Sequence, residues 1–389
     1  MPSFHLLSSA ALLDAIAYWP NCAARAVVIF SSYQAPSAVC GGGHMNTFSS
    51  PALTTTTVFS NNMNNITVTA TDSTSTPGLG NRSVDAYTAV VHGWRADEDY
   101  RRARPDLTGG FHCFINKYGF AMDGVLRYDV VLGNGTQVGG ANNFGIVTRF
   151  TFQAYTIPKL STTILQFNTS TVEAFVQAMV DFVGNDPSDL GAGAIEGTES
   201  PSRFANYTAI GPIVQVDNVT TPTVWHNQLD PAFQELCVQF AHKTMVPNTA
   251  RIYAIYQASI EAVDQVTDVE GFESAFVLNT IPKSAAAVSK YNGVGNIWGL
   301  DDTHSSTTGP TRRTNVIDYH KINQELGLAS EFLYMGDAAE FQRPFLGFPT
   351  ENVQRLREIR AAYDSQGDFI HLNLGGFKLG AEAVDPPSE

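Results

Sequence analysis

The reading of the chain turns on one stretch: Gly139-Gly140-Ala141-Asn142-Asn143-Phe144-Gly145-Ile146-Val147-Thr148-Arg149-Phe150. Two glycines and a polar pair open it. An alternating, β-branched run closes it, with Ile146, Thr148 and Phe150 on one side and Val147 and Arg149 on the other. Glycine lets a backbone come within hydrogen-bonding distance of a ligand, because no Cβ stands in the way. The run that follows reads as a strand fixing the loop. Local physics alone favours the plainer reading, a Gly-rich turn feeding an ordinary strand.

Composition narrows the classes around that stretch. The chain has 389 residues, 43% of them hydrophobic and 15% charged, a globular composition with enough length for two or three domain-sized units. A formal net charge of −14 speaks against nucleic acid as a partner, since phosphate neutralisation needs a basic face. Cys22, Cys40, Cys113 and Cys237 are widely spaced, with no CxxC pair, so no metal site is expected. Six Asn-x-Ser/Thr sites, at Asn65, Asn81, Asn134, Asn168, Asn206 and Asn218, fit a secreted glycoprotein. Residues 1–21 make a weak signal-like segment, lacking a basic start and interrupted by Asp14. No apolar run is long enough to span a membrane, so no membrane partner is expected.

Taken in order, residues 23–32 have helical spacing. A short strand at 35–39 leads into Cys40-Gly41-Gly42-Gly43-His44, a loop whose backbone N–H groups could wrap an anion. Short strands at 58–59 and 66–69 precede a turn at 77–82 and a helix at 83–91. Residues 92–107 are charged and Arg-rich, which more often means a solvated surface than a phosphate clamp. Thr108-Gly109-Gly110-Phe111-His112 follows, then a strand at 128–132 and a Gly133-Asn134-Gly135-Thr136 hairpin turn. Beyond the opening stretch, a strand is expected at 160–167. A helix is expected at 170–183, with Ser170 and Glu173 at capping-box spacing. Residues 203–216 and 251–260 alternate like strands, whereas 231–243 and 261–269 have helical spacing. A strand at 275–278, a turn at Pro282 and a helix come next. Helix 316–326, strand 329–335 and helix 351–363 complete the pattern, the last with Val353, Leu356, Ile359 and Tyr363 facing inward.

Several of these blocks resemble, in the same order, the fungal FAD-linked oxidases. These form the berberine-bridge-enzyme-like branch of the vanillyl-alcohol oxidase/p-cresol methylhydroxylase superfamily. The blocks are Gly41-Gly42-Gly43-His44, Pro77 to Arg82, Gly109-Gly110 with Tyr118-Gly119 and Asp123-Gly124-Val125, the stretch 139–150, Phe332 to Pro344, and residues 363–378. The resemblance implies an α+β fold: a PCMH-type, two-subdomain FAD-binding domain at 22–158 and a substrate domain of antiparallel sheet covered by helices at 159–330. A closing segment at 331–380 would return to the FAD domain. It also implies FAD as cofactor, bonded through its 8α-methyl to His44 in many relatives. Cofactor contacts would fall at Gly41, Gly42, Gly43, His44, Gly109, Gly110, Asp123, Val125, Asn143, Gly145, Ile146, Val147 and Asn352. Tyr334 and His112 are the candidates for a base, acting on a small-molecule substrate with O2 as oxidant.

This chain departs from the family pattern at Cys40, where a basic residue is frequent, and in three segments. Residues 92–107 are charged where relatives hold a second Gly-rich flavin loop and, in doubly linked members, a flavin-bonded cysteine; a segment relatives carry after Val138 is missing; and the middle region is shortened. These departures keep a second reading open, a non-catalytic relative with weak or no FAD binding. A third is a secreted sugar-binding or structural β-protein.

Overall fold

The computed structural model describes residues 37–40, 56–59, 63–82, 85–86, 88–89, 101–102, 110–112, 114–132, 137–138, 143–157, 159–184, 195–196, 204–229, 241–265, 274–291, 297–300, 306–310, 313–339, 341–372 and 376–380. The helix expected at 23–32, the His44 loop and the 133–136 turn lie outside them. The chain divides into two compact units. The first comprises Met1–Leu107, Gly124–Thr156 and Thr350–Glu389, and the second Thr108–Asp123 and Ile157–Pro349. The division differs from the one read in the sequence. The strip Thr108–Asp123 groups with the second unit because Phe114 packs with Ile157 and Leu160, and Gly119 lies against Val288. The closing segment divides at Thr350.

In the first unit, β1 (Ser37–Cys40) pairs in parallel with β2 (Thr56–Phe59). β3 (Ile66–Thr69) and β4 (Thr74–Pro77) form a hairpin, and a two-residue strand, β5 (Arg101–Arg102), lies within the charged stretch. β6 (Val125–Val131), β7 (Gln137–Val138) and β8 (Ile146–Gln153) complete a five-stranded antiparallel sheet of order β3-β4-β8-β6-β7. β9 (Tyr155–Thr156) pairs with β5.

The strand expected after Gly145 is present, but its alternation is broken. Asp129 sits opposite Arg149 and Val130 opposite Val147, so β8 spends one extra residue, Thr148, in a bulge. The Thr148 hydroxyl donates to Asp129 O at 3.1 Å, and Thr148 O accepts from Leu79 N at 3.0 Å. The bulge puts Val147 on the same face as Phe150 and Phe152, in a core with Leu79, Val130 and Leu132. Ile146 belongs instead to a cluster with Val131 and Phe369.

The C-terminal part of this unit is helix Thr350–Tyr363 and a short helix Asp368–His371. Val353 is buried, and Leu356 and Ile359 are half-buried. Tyr363, expected to face inward, is 47% exposed at the frayed end of the helix. Asp364 stops the chain there. Its carboxylate accepts from Asp368 N (2.8 Å) and Phe369 N (3.1 Å), capping the next helix and seating Phe369 in the core.

The second unit holds two antiparallel sheets. β10 (Leu160–Gln166) lies between β11 (Ile195–Glu196) and β12 (Val214–Thr220). The other sheet has order β14-β15-β13-β16, with β13 (His242–Met245), β14 (Asn279–Ile281), β15 (Ser306–Pro310) and β16 (Ala329–Ser330). Helices Val172–Gly184 and Thr249–Asp264 supply Val176, Met179, Val183, Ile252 and Ile255 to a core with Met245. Helices Lys283–Tyr291 and Arg313–Glu325 stand close to the expected positions.

Several expectations are corrected here. Residues 251–260 are helical: Asn248 Oδ1 caps Arg251 N at 2.9 Å, and Ile252, Ile255 and Ala262 fall on one buried face. In place of a capping box at Ser170, Asn168 caps a 3-10 turn, Thr169–Thr171, that leads into the 172–184 helix, its Oδ1 accepting from Ser170 N at 3.0 Å. Residues 203–216 divide into a short helix, Ala205–Ala209, and the start of β12. His242 and Lys243, read as helical, are in β13. Pairing expected at 275–278 begins only at Asn279, and the strand expected over 329–335 pairs only at Ala329–Ser330. No helix of the described residues is long and apolar enough to cross a membrane.

Candidate functional site

The second unit gathers a ring cluster around Tyr334. Phe111 meets Tyr334 edge-on at 4.5 Å between centroids and Phe120 at 5.3 Å. Trp298 stands 4.7 Å from Phe120, 5.1 Å from Phe332 and 6.2 Å from Tyr334. Edge-to-face pairs of this kind set ring orientation as well as burying area. Tyr334 is only 3% exposed. Its phenol curls over Gly336, where a Cβ would lie 2.5 Å from the ring and 2.8 Å from the hydroxyl oxygen. Residue 336 therefore has to be glycine for the phenol to keep this position.

A polar knot backs the tyrosine. His242 Nε2 lies 3.0 Å from Tyr334 O, and since a carbonyl only accepts, the ring proton sits on Nε2. His242 Nδ1 is buried with no hydrogen-bond partner among the described residues. Gln342 brackets the histidine backbone: its Oε1 accepts from His242 N (3.2 Å) and Ala339 N (3.1 Å), and its Nε2 donates to His242 O (2.6 Å). Burial holds the His242 pKa down at about 4, with neighbouring Asp337 pulling the other way and Lys243 adding to the depression. The imidazole is neutral at physiological pH.

Close by in the chain, His112 Nδ1 accepts from Phe114 N at 3.1 Å, which puts the proton of the neutral ring on Nε2. Gly110 has φ of +73°, the left-handed region that favours glycine, and its carbonyl accepts from Ala121 N at 2.9 Å. Asp123 Oδ2 accepts from Phe120 N at 2.8 Å and pins the turn after Gly119.

The first unit holds the other candidates. Val125 packs against the Val147 core, and Val147 itself is fully buried there. A Cβ on Gly145 would lie 2.5 Å from both Val131 O and Val130 Cγ1, so close strand packing alone requires this glycine. Ile146 packs on Phe369. Asn143 Oδ1 accepts from Leu379 N at 3.4 Å, tying the closing segment to the turn before β8. Asn352 is half-buried on helix 350–363. Lys378, beside Leu379, is largely desolvated. Burial lowers its pKa to about 8, offset in part by Asp364.

The structure thus brings Gly110, His112, Asp123 and Tyr334 into one unit and Val125, Asn143, Gly145, Ile146, Val147 and Asn352 into the other. Gly41, Gly42, Gly43, His44 and Gly109 lie outside the described residues. The sequence reading missed His242, Gln342, Trp298 and Lys378. A lone histidine in an apolar strand carries no motif. The Lys378 signal was there, in a lysine directly after the Gly-Gly-Phe of the closing block. No cluster of metal-ligating side chains occurs among the described residues.

No family model matches the chain. It is 25% identical to the FAD-dependent monooxygenase tpcD of Cochliobolus heterostrophus, across 93% of this chain and 83% of that protein. It is also 25% identical to the FAD-dependent monooxygenase drtC of Aspergillus calidoustus, across 70% of this chain and 62% of the relative. The tpcD alignment runs over 435 positions against a chain of 389 residues, so that relative carries at least 46 residues with no counterpart here. Among solved structures, the xylooligosaccharide oxidase of Myceliophthora thermophila has a TM-score of 0.65 at 17% identity, covering 94% of this chain and 90% of that one. A single-residue variant of berberine bridge enzyme has a TM-score of 0.66 at 11% identity, covering 92% and 88%. The fold is that of the vanillyl-alcohol-oxidase type, with helices and antiparallel sheets in the α+β arrangement. By sequence the chain is similar to fungal FAD-dependent monooxygenases, and by fold it is similar to berberine bridge enzyme and related flavin oxidases.

Proposed function

We propose that the chain is an FAD-dependent oxidoreductase that takes a hydride from a small organic substrate, an alcohol, sugar or secondary metabolite, and delivers the electrons to O2. One observation carries this reading: relatives named FAD-dependent monooxygenases align along as much as 93% of the chain, whose fold is that of flavin oxidases. When bound, FAD would supply the two-electron acceptor. The chain's own residues would bind, orient and move protons.

In the first unit, Gly41, Gly42 and Gly43 would admit the diphosphate by backbone N–H groups, with His44 as the tether. The backbone of Asn143, Gly145, Ile146 and Val147 would hold the adenine side, and Asn352 would stand near the ring system. Lys378, next to the Leu379 that bonds the Asn143 turn, is desolvated and faces Asp364, and an anion bound beside it would further favour its charged form. It would take over the phosphate contact that Cys40 cannot make. In the second unit, Gly109 and Gly110 would let backbone approach the flavin. Tyr334 would accept the substrate proton, with His112 as the second candidate. Asp123 would hold the turn that carries them. A phenol acts as base at neutral pH only when its pKa is lowered, and Phe111 and Trp298 would keep water away from it. Export from the cell, in keeping with the Asn-x-Ser/Thr sites, completes the reading.

The residues missing relative to tpcD favour one other reading, a non-catalytic relative that holds FAD weakly. The visible spectrum of the purified protein, before and after acid precipitation, separates the two. Flavin absorbance in the native protein is expected, with colour kept in the pellet if His44 is the tether. A colourless protein that takes up no added FAD would overturn the proposal.

A further inference from the structure

The Asn-x-Ser/Thr sites among the described residues are not equivalent once folded. Asn81 is buried, and its Nδ2 donates to Gly78 O (3.0 Å) and Met63 O (3.5 Å), so its amide is already spent. Asn168 uses its Oδ1 to accept from both Ser170 N (3.0 Å) and Ser170 Oγ (3.1 Å) at a helix start. Asn218 is different. It is exposed near the middle of β12, the end strand of its sheet among the described residues. Its backbone belongs to the β10–β12 ladder, and its carbonyl also accepts from Thr162 Oγ1 at 3.4 Å. No described residue hydrogen-bonds its side-chain amide.

The register shows what surrounds it. Val214, Val216 and Asn218 alternate onto one face of β12, and Val216 pairs with Ile164 of β10. Val216 is 49% exposed, Ile164 46% and Val214 40%. The opposite face is mixed: Asp217 accepts from Thr163 Oγ1 and Gln215 Nε2, both at 2.7 Å, beside Val219, which is 43% exposed. An exposed end strand with an apolar face is a template for pairing with another chain, and proteins normally blunt such edges. Here Pro and Lys are absent from Val214–Thr220, and the one device on that face is Asn218. It stands two residues, about 7 Å, from Val216.

We propose that Asn218 carries an N-linked glycan whose first sugars lie over Val216 and Ile164 and close this edge to other chains. The proposal rests on the extracellular reading above. The glycan would come from a lipid-diphosphate-linked oligosaccharide. The Nδ2–C1 bond forms and the C1–O bond to the diphosphate breaks, while the amide proton leaves with the lipid diphosphate. The full chain, secreted from a eukaryotic host behind a heterologous leader, is analysed by glycopeptide mass spectrometry. Asn218 is expected to be occupied and Asn81 unoccupied; an unmodified Asn218 in the secreted protein would overturn the site. Asn218→Gln is then compared by sedimentation. A shift from monomer to dimer or larger species is expected, reversed by adding Val216→Lys. An Asn218→Gln protein that stays monomeric would overturn the shielding role. If the chain with its own N-terminus stays inside the cell while the leader-bearing form is glycosylated at Asn218, the extracellular reading fails and the site assignment stands.

Discussion

The two units treat their candidate residues differently. In the first, side chains around β8 are consumed by packing: Val147, Phe150 and Phe152 are core, and Gly145 is pressed against Val131. Around β8 itself, the backbone and the Asn143 turn are left for the proposed ligand, with Lys378 next to Leu379 as a charged side chain. In the second, Tyr334 is held by edge-type ring contacts and by a polar knot behind its carbonyl, and the knot includes an imidazole nitrogen with no partner among the described residues. A cradle made of backbone can be specified only through packing, so its residues look like core residues. A site made of side chains needs buried polar support, which shows as a histidine and a glutamine far from any motif.

That contrast orders the expected effects. Phe150→Ala, which empties the centre of the first unit's core, should cost about 4 kcal/mol in a urea melt. A loss below ~1 kcal/mol would mean that this core is not packed as described. Gly145→Ala forces a methyl into Val131 O and Val130 and should cost about 3 kcal/mol. FAD affinity lost with no change in the melt would instead make this glycine a ligand contact. Gln342→Leu leaves His242 N, His242 O and Ala339 N without their partner and should cost about 2 kcal/mol.

His242 makes stability pH-dependent. Its folded pKa, about 4, lies below its ordinary value of 6.5, so the unfolded chain binds the extra proton between those pH values. Its contribution is fully present above pH 6.5 and is lost as pH falls toward 4, about 2 kcal/mol of it by pH 5. His242→Gln should flatten that part of the stability–pH curve. Asn248→Ala, removing the cap of the 249–264 helix, should cost about 1 kcal/mol.

How much was legible follows from the same contrast. The strand at 66–69, the strand after Gly145 and helices 172–184 and 350–363 were readable, because their period agrees over their length, whereas the return strand Thr74–Pro77 was not. The bulge at Thr148 was not, since one extra residue in a ladder depends on the partner strand and leaves no local mark. Residues 251–260 misled because Ile252, Tyr253, Ile255 and Tyr256 satisfy either period, and the Asn248 cap that decides the matter lies just outside the run. Of the candidate site, Gly110, His112, Asp123 and Tyr334 were named from the blocks they sit in, and the structure places them in one unit. His242 and Gln342 could not, because they are 100 residues apart in sequence and meet only in the fold.

The most direct test of the division of labour is a flavin-fluorescence titration of FAD into the wild type, Lys378→Met and Tyr334→Phe, each prepared without bound flavin. The account expects Lys378→Met to weaken FAD binding at least tenfold, about 1.4 kcal/mol, with Tyr334→Phe binding as the wild type does. Undiminished binding by Lys378→Met, together with loss in Tyr334→Phe, would contradict it.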